Sequence, residues 1–177
     1  MSIDHLREAI ALQQKRGLPF IIASVIIWGM IAFVAACDFP IATKNIFVFF
    51  CACPLLPLAW GIGKTLDVDI FSKQNPLGQA GFLFTLNQAL YLLIVMWVFQ
   101  AVPDKMIMVY AMVFGAHLLP YSWLYCSKGY TFFAVTIPIL SLVVGNLWSG
   151  FAVAVMMIGI EILFVIVLLW ENKRLYP

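Results

Sequence analysis

Four residues in this chain have side chains that could do acid–base or hydrogen-bonding work in hydrocarbon, and their surroundings make them conspicuous. Glu161 is the sole non-apolar, non-glycine residue of MIGIEILFVIV, residues 157–167. His117 lies in GAHLLPYSWLY, residues 115–125, and Asn87 and Gln88 are adjacent within GFLFTLNQALYLL. A carboxyl group can carry a proton or hold a cation. An imidazole can exchange a proton with it, and carboxamides can orient a polar ligand. Such groups are costly in a bilayer, from about 2.5 kcal/mol upward for a charged side chain, so they normally face protein or water. A midplane carboxylate is therefore a functional candidate by default. A membrane histidine more often serves as a structural hydrogen-bonding group, and an Asn–Gln pair more often holds helices together.

These side chains need elements that bring them to one level. The chain has 177 residues, 64% hydrophobic and only 10% charged. Soluble domains carry about a quarter charged residues, so this chain reads as an all-α integral membrane protein. A bilayer core takes about 20 mainly apolar residues per helix. Six spans fit: Leu18 to Cys37, Asn45 to Gly63 interrupted by Pro54 and Pro57, Gln79 to Gln100, Lys105 to Cys126, Tyr130 to Leu147, and Gly150 to Trp170. Residues 1–17 form an N-terminal amphipathic segment, 18–170 the six-helix domain and 171–177 a short tail. The connections are short, which predicts antiparallel packing between each span and the next.

At about 1.5 Å per residue, Glu161, His117, Asn87 and Gln88 differ in depth by only some 3 Å. The expectation is one shared midplane site, with Glu161 and His117 within direct or one-water reach. Helical spacing puts Gly150, Ala154, Met157 and Glu161 on one face. It also aligns Tyr110, Phe114, His117, Tyr121 and Tyr125 as a stripe, and places Tyr91 and Phe84 with Asn87. Tyr121 and Tyr91 thus join the candidate substrate- or proton-binding set. Pro120 should kink the fourth span, and Pro54, Pro57 and Pro138 mark further breaks of the kind that open a midplane site.

Basic residues fix orientation, because they are retained on the cytoplasmic side. With the N-terminus inside, Arg7, Lys15, Arg16, Lys64, Lys73, Lys128, Lys173 and Arg174 are cytoplasmic, and only Lys44 and Lys105 are outside. Both termini are then cytoplasmic. Trp170, Tyr130 and Tyr176 fall where an interfacial aromatic belt would lie. Residues 3–16 place Ile3, Leu6, Ile10 and Gln13 on one stripe, with Ser2 as N-cap, which reads as an interfacial helix on the inner leaflet. Val34–Cys37 has the look of a lipoprotein cleavage box, but 17 residues precede the apolar run, and the expectation is that the segment is retained.

Asn75–Pro76 reads as N-cap and first helical residue of the third span, and Asp67 and Asp69 as solvated loop residues. The four cysteines offer no C-x-x-C and no zinc spacing, and Cys51 and Cys53 point about 200° apart on a helix. No metal, cofactor or nucleic-acid partner is expected. No hydrolase or NTPase motif is present.

The stretches GAHLLPYSWLY and DIFSKQNPLG, residues 69–78, resemble those of a family of small bacterial multi-pass membrane proteins without an assigned function. That resemblance implies a bacterial inner-membrane location and no particular activity. The residues themselves favour a small permease that moves an unknown small molecule or proton. Six spans are few for a complete permease, so a homodimer suits it. Two alternatives are an intramembrane enzyme with Glu161 and His117 as acid and base on a lipid-like substrate, and a non-catalytic membrane partner or assembly subunit. The last would present Ser141, Gly145 and Ser149 to another helix.

Overall fold

A computed structural model describes residues 2–72 and 74–174; Lys73 and Tyr176 lie outside the described residues. It is all-helical, with six helices long and apolar enough to cross a membrane. The elements are α1 (Ile3–Gln13), α2 (Leu18–Ala36), α3 (Ile41–Ala52), α4 (Leu55–Thr65), α5 (Gly78–Ala101), α6 (Met106–Leu124), α7 (Lys128–Leu147) and α8 (Gly150–Lys173).

Helices α3 and α4 together make the second crossing. The break falls at Cys53–Pro54 because Pro54 and Pro57 bring no N–H to the carbonyls one turn earlier. The Phe50 carbonyl accepts from Cys53 N instead, at 3.1 Å. The other expected breaks do not form. Helices α6 and α7 run unbroken through Pro120 and Pro138. Pro138 packs against α6 at Gly115, and neighbouring helices can re-satisfy backbone groups that a proline frees in a membrane span.

Helix α6 packs most extensively on α7, and α2 on α8, so the last span closes against the first. Consecutive crossings pack together except the second and the third, which meet only marginally, as where Phe49 of α3 faces Phe99 of α5. The 66–77 connection is long enough to carry α5 past its neighbour to the flank of α6. Helix α5 buries only Val95 and Val98, and the rest of its surface is open. The core runs between α2, α6, α7 and α8, around Trp28, Ile31, Leu118, Ile137, Met157 and Phe164.

Helix α1 is separate from the first span. Lys15, Arg16 and Gly17 all have positive φ, at 45°, 53° and 68°. This left-handed turn reverses the chain. Only glycine fits its last position, because a Cβ on Gly17 would lie 2.9 Å from the Tyr130 hydroxyl. Ser2 caps α1 by accepting from His5 N at 3.4 Å. Of the predicted stripe, Ile10 is buried, Leu6 is half-buried and Ile3 is exposed. The buried part rests on protein. Arg7 donates to the Trp123 carbonyl at 2.7 Å and lies 4.7 Å over the Trp123 ring. Gln13 donates to Ser72 and Gln74, each at 2.9 Å.

Asn75 also belongs to this arrangement, which corrects its expected role. Helix α5 starts at Gly78, and Asn75 Oδ1 accepts from Leu77 N in a turn ahead of it. Its amide donates to the Leu6 carbonyl at 2.8 Å, fastening α1 to the 66–77 connection. Tyr130 is likewise not part of an aromatic belt. It is 2% exposed and donates to the Arg16 carbonyl. Trp170 is exposed, with the Arg174 guanidinium 3.4 Å above its ring.

Candidate functional site

Glu161 stands on the inner face of α8, with Ala154, Met157, Phe164 and Leu168 above and below it. All five are fully buried. This 3–4 spacing aims the carboxyl group at α2. There Ser24, 3% exposed, hydrogen-bonds Glu161 Oε2. Glu161 Oε1 is buried without a hydrogen-bond partner. No cationic side chain pairs with this carboxyl among the described residues. The Ser24 hydroxyl also lies 2.7 Å from the Ile21 carbonyl of its own helix. A serine carries one hydroxyl proton, so it can serve only one of these two acceptors at a time.

His117 sits half-buried on the aromatic stripe of α6. Its Nδ1 is hydrogen-bonded to the Phe114 carbonyl, and no partner for Nε2 occurs among the described residues. The ring packs against Phe114, centroids 5.2 Å apart, and against Tyr121 at 5.9 Å. Phe114 in turn meets Trp28 at 6.0 Å. Trp28 is one helical turn from Ser24 on α2. The hydrogen bond of Glu161 therefore goes to Ser24 rather than His117, and the connection between the two titratable groups runs along Ser24, Trp28 and Phe114.

Of the other expected site residues, Tyr121 is tied to α5. Its hydroxyl donates to the Gly81 carbonyl at 3.0 Å and lies 2.7 Å from Thr85 Oγ1. Phe84 packs edge-on against the Tyr121 ring at 5.6 Å. Asn87 and Tyr91 are exposed on α5, and Gln88 is half-buried. They occupy the outer flank of the bundle because α5 packs chiefly on α6.

Sequence reasoning missed Ser24, since one hydroxyl in an apolar span is too ordinary to signal a site. It also missed a polar cluster at the end of the bundle that carries both termini. Arg16, 6% exposed, donates to Asn172 Oδ1 at 2.9 Å and lies 3.6 Å from Glu171 Oε2. Glu171 accepts from Ser127 Oγ at 2.6 Å and from Gly129 N at 3.0 Å. It thus caps α7, where the helix dipole favours a negative charge. Asn172 donates to the Lys15 carbonyl at 3.0 Å. The cluster lies where α2 begins and α8 finishes and is backed by Tyr121, Tyr125 and Tyr130, with centroids 5.6 to 6.2 Å apart.

At the opposite end, the two lysines that break the basic-residue bias each bind a helix C-terminus. Lys44 donates to the Ala35 carbonyl at 3.2 Å and Lys105 to the Gly145 carbonyl at 2.7 Å. The cations are placed where the dipole of the helix is negative. Gly145 and Ser141 are buried between α6 and α7, Gly145 against Met108. Two members of the small-residue series expected to receive a foreign helix are therefore occupied within the chain, and the third, Ser149, is exposed and caps α8. All four cysteines are free, and no cluster of metal-ligating side chains occurs among the described residues.

The comparison with known families turns on its extent. A model described as a family of unknown function, DUF7010, matches residues 3–171. The chain belongs to this family. Its match takes in α1, all six crossings and Glu171 of the terminal cluster. No curated protein and no solved structure matches the chain. Membership in DUF7010 assigns no activity, so a functional reading rests on the geometry around Glu161.

Proposed function

We propose that this protein is a small permease-like bundle of the bacterial inner membrane, with both termini cytoplasmic, in which Glu161 carries a proton or holds a cationic ligand. One observation carries the reading: a fully buried carboxyl in mid-span has a serine hydroxyl as its hydrogen-bond partner and a second oxygen with none. A carboxyl kept only for packing has a cheaper alternative, since buried ionic groups are often replaced by apolar ones without loss of stability.

The Ser24 hydroxyl supplies the moving part. When its proton points to the Ile21 carbonyl, Glu161 bonds Ser24 as a neutral acid. When it points to Oε2, it stabilises the ionised carboxylate. A hydroxyl rotation thus accompanies each gain or loss of a proton at Glu161. His117 Nε2, on the neighbouring stripe, is the second proton-accepting group of the path. The alternative of a partner or assembly subunit draws support from the open flank of α5.

The test is purified protein in liposomes carrying an internal pH dye. Wild type is expected to pass protons under an imposed gradient, alone or with a co-substrate from a panel of small cations. Glu161→Gln keeps the shape and the bond to Ser24 but removes ionisation. It should abolish the flux and leave the melting temperature within about 2 °C of wild type. Undiminished flux in Glu161→Gln sinks the proton-carrier role.

Orientation is tested separately. The bias of basic residues and the joining of Arg16 to Asn172 at one end support a cytoplasmic placement of both termini. Reporter fusions at Pro177 are expected to read cytoplasmic and those after Lys105 periplasmic. A periplasmic signal at Pro177 ends the model.

A further inference from the structure

Helix α5 is apolar on almost every side and packs chiefly on α6, so exposure alone does not single out a face. One residue does. Asn87 is exposed, and no hydrogen bond of its side chain occurs among the described residues. It lies about 4 Å from the midpoint of a 24-residue helix, deep in hydrocarbon. A carboxamide there has two donors and an acceptor that lipid tails cannot satisfy.

Asn87 does not stand alone on its face. Leu83, Asn87, Leu90, Ile94 and Trp97 follow one another at spacings of four, three, four and three. The four apolar members are 51–66% exposed. This is the a/d pattern of a coiled-coil seam, with Asn87 and Ile94 at a and Leu83, Leu90 and Trp97 at d. A β-branched residue at a with leucine at d favours two strands, and one asparagine at an a position fixes register and strand number. The seam is turned about 100° from the stripe of Phe84, Gln88, Val95 and Val98 that faces α6. It lies on the side away from Phe99, which meets Phe49 of α3 at 6.4 Å.

We infer that this seam joins two copies of the chain through a parallel α5–α5 pair, with Asn87 bonded to Asn87 of the second copy. Two arguments select a second copy as the occupant. An amide is complementary to itself, because each can donate to the other's carbonyl oxygen across a two-fold axis. Copies of one chain also share one orientation in the membrane, so their α5 helices run parallel, which is the arrangement in which a positions face each other. The two-fold axis then stands along the membrane normal, and the interface is the same patch on both copies. The inference is independent of the role of Glu161.

The experiment uses full-length protein, labelled with donor or acceptor dye at the N-terminus, in phosphatidylethanolamine–phosphatidylglycerol liposomes over a range of lipid-to-protein ratios. Wild type is expected to show energy transfer that falls on dilution with lipid. Asn87→Leu keeps the apolar seam and removes the amide pair. It should shift the midpoint about tenfold towards higher protein density, the scale of an interhelical hydrogen bond in a membrane. Met96→Ala, an exposed residue about 140° round α5 from the seam, should not shift it. As a second measurement, oxidative cross-linking in a chain without its native cysteines should be fast through Leu90→Cys and slow through Met96→Cys. If the cysteine-free chain does not fold, the dilution series alone decides. Transfer that does not depend on dilution, an Asn87→Leu midpoint equal to wild type, or equal cross-linking through both positions overturns the inference.

Discussion

Gly115→Val is expected to lower the melting temperature by roughly 6–12 °C. Gly115 lies at a close approach of α6 and α7, the most extensive helix pair in the bundle. A Cβ there would stand 2.6 Å from both Ile137 Cγ2 and Pro138 Cδ, and 2.7 Å from Ile137 Cβ. None of these atoms is the loose end of a flexible side chain. The proline ring is fixed and the isoleucine is branched at the atom that would collide, so the helices must separate. Small residues are what let membrane helices approach this closely. Overpacking costs about 1–3 kcal/mol and occasionally more; with no loose atom to give way this site belongs at the upper end, and for a chain of this size each kcal/mol corresponds to about 2–4 °C. Thermal denaturation in detergent, followed by intrinsic fluorescence, measures the shift. A melting temperature within 2 °C of wild type would show that the pair can yield at this point.

The second large effect belongs to the terminal cluster, and it should be unequal between the two partners of one ion pair. Glu171→Leu removes the carboxylate and leaves the Arg16 guanidinium, with its side chain 7% exposed, facing the Asn172 amide and a carbonyl. Arg16→Met leaves Glu171 with Ser127 Oγ, Gly129 N and the positive end of the α7 dipole. A buried charge left without compensation costs about 3–5 kcal/mol. That range applies to Glu171→Leu, whereas Arg16→Met should cost less than half as much. The same denaturation measurement compares them. Equal losses, or a larger loss in Arg16→Met, would mean that the cation holds this end together and the α7 cap does not.

The sequence conveyed the crossings well, because six long apolar segments between short polar ones leave little choice. It conveyed the direction of Glu161 too. Small residues at Gly150 and Ala154 share its face, and that face proved to be the buried one. The fate of Asn87 was not legible. Periodicity says which residues share a face, but a helix apolar all round does not reveal which face meets protein. The depth argument that grouped Asn87 with Glu161 was blind to α5 lying outside α6. Ser24 and the Arg16–Glu171 pair were invisible for a different reason. Their partners are 137 and 155 residues away in the chain, and no local pattern encodes so distant a meeting. Prolines misled in the other direction. Only Pro54, assisted by Pro57, interrupts a crossing, and Pro120 and Pro138 stay inside continuous helices.

That distance along the chain also has a meaning in time. The left-handed turn at Lys15–Gly17 is synthesised 155 residues ahead of Glu171, which Arg16 meets in the folded protein. At about 5–20 residues per second, translation leaves roughly eight to thirty seconds in between. Throughout that interval the first crossing has no eighth helix to lie against, and neither Ser24 nor Arg16 has the group it will finally bind. The bundle closes as a ring whose clasp is made last. The order of synthesis thus differs from the order of assembly, and the nascent protein depends on whatever shelters its first crossing until the final one arrives.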